Sequence, residues 1–508
     1  MSISSDKIPL FHSSSPDSPC SSRLSEKLDD YTKREPSAPA PTPAFRLSRI
    51  LIAGGGVGSL FLAILLERLG IPYYLFEEGS KVQHLGAALA LGATVLPVFE
   101  QLGLTSLLAS ISLPCATLDI YDAKLKKLGS VLMKGQNEIT GYENIVCSRV
   151  NLYELLLAQL NPANVVMNKK ILSYEENELG VNVCCADNSI YCGDILVGAD
   201  GPYSRIRQTM HRHMDKRGLL SKNDKERLTR NYVCVAGVTK QRSPEEYKFL
   251  KDPFVHFCTV VGGKGHGWHA VNIPDDQICW ATWMHLDAST ASQVATFETS
   301  EFGVENTEPI VKAFRDMPCP HGGTMGELVD ATPEDLKSKV YIEEKLFDAW
   351  YYGRTVLIGS ACHIMLPWAG QRELNEIHDA VILANCLFEL KDLGLKSISA
   401  SFKAYYSQRY PYAIAQFQYS RAVTRLVVGQ TLKERISRYA ILNWLPHSYQ
   451  QRMHHEIFAY RPQASFMARA ENRGRGFAFP QRSAKQWTEA EIERRISAVW
   501  NKRASIAV

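Results

Sequence analysis

Three features of the sequence predict an α/β fold with a second sheet and a helical end. First, Arg49-Ile50-Leu51-Ile52-Ala53, a glycine cluster, a helical run from Leu60 to Leu69 and a second apolar run from Pro72 to Glu77 follow one another. Strand, glycine turn, helix and strand in about 30 residues form a βαβ unit and imply a parallel sheet. Second, four alternating runs lie close together: Tyr232–Val238, Phe254–Val261, Trp268–Ile273 and Ile278–His285. Their short connections point to an antiparallel sheet rather than more βαβ units. Third, Ser401 to about Tyr460 has helical spacing. The expected architecture is a Rossmann-like dinucleotide-binding domain with an inserted antiparallel-sheet domain and a helical C-terminal extension.

Composition fits this reading. The 508 residues are 45% hydrophobic and 22% charged, the balance of a globular protein of two or three domains. The most apolar stretch, Ile50 to Leu66, is interrupted by Gly54, Gly55, Gly56 and Gly58, so a phosphate loop explains it better than a membrane span. Twelve cysteines with no CxxC pair argue against a disulfide framework or zinc ribbon, and point to a reducing, cytoplasmic location. The net charge of +4 hides an asymmetry: residues 401–508 carry 18 Lys+Arg against 6 Glu, a local net of +12, which leaves the rest acidic. Residues 1–46 hold eleven serines and seven prolines and are expected to be disordered, because such a segment cannot bury enough apolar area to offset its ordering entropy. Six acids there, from Asp6 to Glu35, argue against an organelle presequence.

Three motifs carry chemistry. Gly54-Gly55-Gly56-Val57-Gly58-Ser59 matches the first two positions of G-x-G-x-x-G, with Ser59 at the third. Backbone N–H groups at a helix start can hold a diphosphate, and glycines allow close approach. Glu77 ends the next strand, 23 residues after Gly54, where a carboxylate can bond an adenosine ribose. The similar-looking Gly262–Gly267 cluster joins two alternating strands and reads as a hairpin loop. The second motif, Gly198-Ala199-Asp200-Gly201-Pro202-Tyr203-Ser204-Arg205-Ile206-Arg207, follows another buried strand, Asp194–Gly198. The third runs from Gly359-Ser360-Ala361-Cys362-His363 through Pro367-Trp368-Ala369-Gly370-Gln371 to Asn375, between a strand (Arg354–Gly359) and a helix (Glu376–Leu390).

These three motifs, in this order, closely resemble the fingerprints of the FAD-dependent class A flavin monooxygenases, the aromatic-hydroxylase-like family. Cys362, Gln371 with Asn375, and Tyr405…Arg409-Tyr410-Pro411 look most like fungal members. The likeness spans roughly residues 48–460. It divides the chain into an FAD-binding domain (47–230 and 346–400), a substrate domain (231–345) and a basic helical extension (401–508). It implies FAD as cofactor and NAD(P)H as transient reductant. It also implies oxygen insertion from a C4a-hydroperoxide into an apolar small molecule, as expected in secondary metabolism. By the same resemblance Gly54, Gly56, Gly58 and Glu77 would hold the ADP part. Arg149, Asp200, Gly201 and Ser360 would contact the cofactor, and Pro367, Ala369, Gly370 and Gln371 would line the isoalloxazine.

Two positions depart from the family pattern: Ser360 stands where it has aspartate, and Arg372 where it has glycine. Two alternatives therefore stay open, a flavin oxidoreductase without oxygen insertion and a degenerate flavoprotein acting by ligand or partner binding. The absence of W-x-W-x-I-P disfavours a flavin halogenase. His211, His213, His266 and His269 lack ligand spacing, so no metal is expected, and His363 reads as structural. Trp268, Trp280, Trp283 and Phe257 fit sheet core or an aromatic substrate cavity. The basic tail, with Arg421, Arg425, Lys433, Arg435 and Arg438 among apolar residues, fits a helix packed on the FAD domain or a peripheral contact with anionic lipid. It carries no nucleic-acid-binding module.

Overall fold

The computed structural model describes residues 48–80, 88–133, 136–263, 265–286, 308–429, 431–446, 457–479 and 488–501; the Ser/Pro-rich segment 1–46 lies outside them. Strand β1 (Ile50–Ala53) leads through the glycine cluster into helix α1 (Val57–Leu69) and strand β2 (Tyr73–Phe76). Eleven of the thirteen α1 residues are buried, which is why its sequence is apolar on nearly every face. Strand β3 (Ser112–Asp122), helix α2 (Arg149–Leu157), strand β4 (Ile195–Gly198) and helix α3 (Arg205–Asp215) follow. β1 pairs in parallel with both β2 and β4, so the first two motifs emerge side by side from the same sheet edge.

The second sheet is built from β5 (Thr229–Val238), β6 (Val255–Gly263), β7 (His266–Ile273) and β8 (Gln277–His285). Helices α4 (Glu308–Phe314) and α5 (Met325–Asp330) precede its fifth long strand, β9 (Lys337–Leu346). The order β9–β5–β8–β7–β6 is antiparallel throughout, as the alternation predicts, and β6–β7 is the hairpin expected across the glycine cluster. The sheet then continues onto β3, paired in parallel with β6, so a strand from the first stretch of the chain belongs to the second sheet. Period-two alternation sets two faces. Val235, Val260, Trp268, Ala270 and Trp280 pack under Val311, Phe314, Met325 and Leu328 of α4 and α5. The opposite face, including Tyr232 and Trp283, turns toward the third motif.

The chain returns to the first sheet through β10 (Thr355–Leu357), parallel to β4. It then enters α6 (Arg372–Phe388), which packs on α1. α7 (Leu395–Val428) is a single 34-residue helix that runs through residue 400, and α8 (Leu432–Trp444) follows with a capping box at Thr431 and Glu434. Among the described residues no helix is long and apolar enough to cross a membrane.

Candidate functional site: an FAD cleft

The first motif is shaped by close backbone approach. Gly54 has φ +97°, and a Cβ there would stand 2.4 Å from the Ala199 carbonyl oxygen and 2.8 Å from Asp200 Cα. Only glycine satisfies both demands. That approach brings the first two motifs into contact across 146 residues of chain. Gly56, the N-cap of α1, has ordinary extended angles, and a Cβ on it would meet nothing closer than Ser59 Oγ at 4.0 Å. No side chain caps α1 and its first turn has no acid, so no side-chain cap competes for its leading N–H groups. Ser59 fits the third glycine position because its hydroxyl folds back to donate to Gly56 O at 2.9 Å. An open cradle at an uncapped helix start fits a dinucleotide diphosphate.

Glu77 stands beside this cradle. Its Oε2 accepts from Gly55 N and its Oε1 from Gly79 N, each at 2.8 Å. Burial pushes its carboxyl above the ordinary value, against the pull of those amides. Tyr153 Oη lies 2.9 Å from where a Cβ on Gly55 would be. Arg149, first residue of α2, is one turn before Tyr153, and the two share a helix face. The sequence reading missed Tyr153, although its i+4 spacing from Arg149 was a usable signal.

In the second motif Asp200 acts at once as a cap and a spacer. Its carboxylate accepts from the Ser204 hydroxyl, from Arg205 N at 2.7 Å and from Ile206 N at 3.2 Å, which fastens it over the start of α3. Burial raises its carboxyl, and the Ser204 hydroxyl and Ile206 amide oppose that rise. Gly201 (φ +78°) makes the turn out of the strand. Arg207 donates to Ala361 O at 2.9 Å and to Pro202 O at 2.6 Å, tying the second motif to the third.

The third motif folds as two short turns, Gly359–Ala361 and Pro367–Ala369, before α6. Gly370 closes the second with φ +61°, and Gln371 Nε2 donates to Ala369 O at 3.2 Å. Beneath it lies a buried polar cluster. Asp379 accepts from His363 Nε2 (2.7 Å), Gly359 N (2.8 Å) and Arg409 Nε (2.7 Å), while Arg409 Nη2 donates to Asn375 Oδ1 at 2.9 Å. Burial alone would raise the Asp379 carboxyl; His363 and Arg409 hold it down at about 2. Cys362, His363 and Asp379 have ligand atoms close enough for a metal, but the carboxylate already bonds a guanidinium. His363 therefore braces the loop, and Asp379 and Arg409, distant in sequence, complete the brace. The four other histidines do not converge: His211 and His213 lie on α3, and His266 and His269 on β7.

Across from this loop, Trp368 packs edge-on against Tyr232 at 5.0 Å and Trp283 at 5.8 Å. His269 lies 5.9 Å from Trp283 and 5.5 Å from Phe257, and burial pushes its imidazole down to about 4. Register puts Cys234 opposite Trp283 and Ala236 opposite Ala281 on the same face. Aromatic and small apolar side chains thus pack together on this face of the sheet. Trp283 Nε1 has no hydrogen-bond partner among the described residues.

Residues 48–223 match the FAD binding domain family. Among curated proteins, the chain is 27% identical over 405 residues to the FAD-dependent monooxygenase ausM of Penicillium brasilianum, covering 77% of this chain and 82% of that one. It is 26% identical over 387 residues to the FAD-dependent monooxygenase ptmM of Penicillium ochrochloron, covering 74% and 88%. Among solved structures, Klebsiella pneumoniae HpxO complexed with FAD and uric acid aligns with a TM-score of 0.65 at 19% identity, covering 82% of this chain and 97% of that one. The 2,6-dihydroxypyridine-3-hydroxylase of Arthrobacter nicotinovorans aligns at 0.59 and 17% identity, covering 78% and 95%. The three motifs lie against one another, residues 48–223 carry the FAD binding domain, and over most of its length the chain is similar to FAD-dependent monooxygenases.

Proposed function

We propose that the protein uses NAD(P)H and dioxygen to hydroxylate or epoxidise an apolar small molecule. One oxygen atom enters the substrate and the other leaves as water, with two electrons drawn from NAD(P)H. FAD, when bound, supplies the chemistry that activates oxygen; the chain binds, orients and keeps water out. In this reading Gly54, Gly56 and Gly58 hold the diphosphate and Glu77 the adenosine ribose. Arg149, Asp200, Gly201 and Ser360 line the middle of the cofactor, and Pro367, Ala369, Gly370 and Gln371 carry the flavin ring.

The observation that supports the substrate class is the aromatic face on which Trp368 meets Tyr232 and Trp283. Tyr232 and Trp283 are at most 8% exposed, and Cys234, Ala236 and Ala281 share their face of the sheet. An apolar molecule suits a face built from these aromatic and aliphatic side chains. Purified protein should carry or take up FAD, lose its visible flavin bands on anaerobic addition of NADPH, and regain them in air. A protein that cannot be reconstituted with FAD, or whose bound flavin NAD(P)H does not reduce, would refute this function.

A further inference from the structure

The family pattern has a carboxylate at position 360 and glycine at 372; this chain has Ser360 and Arg372. A carboxylate is nonetheless present in this part of the cleft, on Glu376. Its Cβ lies 3.1 Å from where a Cβ on Gly58 would stand, and its Cγ 3.0 Å from the same point on Gly359. The side chain is wedged between the start of α1 and the turn that opens the third motif. Ser360 Oγ donates to Glu376 Oε1 at 2.8 Å and accepts from Arg372 Nε at 2.9 Å. Arg372 Nε is itself 3.8 Å from Glu376 Oε1, one helical turn along α6. The three side chains form a single connected group, all of it within the cleft.

Charge explains why the group must be taken together. Burial pushes the Glu376 carboxyl upward; Arg372 pulls it down, Glu373 opposes that pull, and Ser360 and Arg149 add to it. A lone carboxylate beside the seat of a diphosphate would repel it. Arg372 and Arg149 offset Glu376 and Glu373, which leaves the positive end of α1 unopposed. A guanidinium suits phosphate oxygens through its fork of donors, whereas a carboxylate suits hydroxyl donors. A half-buried ion pair is also a poor way to gain stability, since desolvation offsets most of its attraction. The cluster therefore calls for a ligand with both kinds of group.

The geometry points to Arg372 and Glu376 as cofactor-positioning residues particular to this chain, Arg372 meeting the diphosphate of FAD and Glu376 accepting from its ribityl hydroxyls in place of a carboxylate at position 360. This inference rests on the reading of the cleft as an FAD site. Its test is equilibrium titration of the apoprotein with FAD and, separately, with ADP, which has a diphosphate but no ribityl chain.

Glu376→Gln should weaken FAD by about ten- to a hundredfold, the loss of one charge-assisted bond, and leave ADP binding unchanged. Arg372→Gln should weaken both ligands and flatten the salt dependence of each. Adding Ser360→Asp to Glu376→Gln should recover much of the FAD affinity by returning a carboxylate to the cleft. Melting of each apoprotein separates lost contacts from lost folding. Undiminished FAD binding by Glu376→Gln, or an equal loss of FAD and ADP with a lowered melting point, overturns the role of Glu376. Undiminished binding of both ligands by Arg372→Gln overturns that of Arg372. If the unaltered protein binds FAD tightly and every variant does too, only this inference fails. If the unaltered protein binds neither ligand, the FAD reading falls with it.

Discussion

Gly54 and Gly56 sit two residues apart in one loop, yet the structure demands glycine at them for different reasons, and a pair of substitutions separates those reasons. At Gly56 the backbone is extended (φ −69°, ψ 175°), and an added Cβ has 4.0 Å of clearance from its nearest neighbour. Gly56→Val should therefore fold, at a cost of about 1 kcal/mol for a poorer N-cap. What the side chain would occupy is the space above the α1 amides, where the diphosphate is expected. Losing two charge-assisted bonds there amounts to about 3–6 kcal/mol, or roughly a hundred- to ten-thousandfold in FAD affinity. At Gly54 the reverse holds. An added Cβ stands 2.4 Å from Ala199 O at φ +97°. Gly54→Ala should thus lose about 1–2 kcal/mol to backbone strain and a further 1–3 kcal/mol to overpacking, with or without cofactor. The assays are flavin content from the visible spectrum and thermal melting of the apoproteins. Stoichiometric flavin in Gly56→Val, or a melting point for it as low as that of Gly54→Ala, would show that the phosphate loop is misplaced.

Three further outcomes follow from the buried polar groups. Arg409→Met removes the cation beside a fully buried Asp379 and should destabilise the protein by about 3–5 kcal/mol in chemical denaturation, far more than loss of an exposed arginine. Stability should fall as pH drops below about 6.5, because the unfolded chain protonates its histidines there. Burial holds folded His378 down to about 3 and His269 to about 4, so these two imidazoles stay neutral in the folded state until those values are approached. His378→Gln should flatten that slope, and melting points measured from pH 7 to pH 5 decide it. Trp283→Phe keeps an aromatic ring but deletes the pyrrole half and its N–H, which has no partner among the described residues, so melting should register only the cavity cost of about 1–3 kcal/mol and no lost hydrogen bond.

The elements most legible in the sequence were those whose signal is local. The glycine cluster between two apolar runs gave β1, α1 and β2, and alternation gave β5 to β8 within a few residues of their observed ends. β3 escaped because its burial is mostly partial and its partner, β6, lies more than a hundred residues away. The brace under the third motif escaped for the same reason, since Asp379, Arg409 and Tyr460 sit on three separate segments and only folding makes them neighbours.

Arg372 shows how one boundary can change a chemical reading. With the helix expected to start at Glu376, Arg372 falls in the loop before it, where the family pattern has glycine. The helix in fact begins at Arg372, with Gln371 as its N-cap, so Arg372 and Glu376 are an i, i+4 pair on one face of α6. Glycine would weaken the first turn of such a helix, whereas arginine supports it. The guanidinium extends along the helix to Ser360 rather than into backbone space. The two departures from the family pattern are thus joined by a hydrogen bond, and they share Glu376 as a third member. A single exchange at either position would break the connected group. Ser360 and Arg372 are therefore two parts of one connected arrangement rather than two unrelated departures.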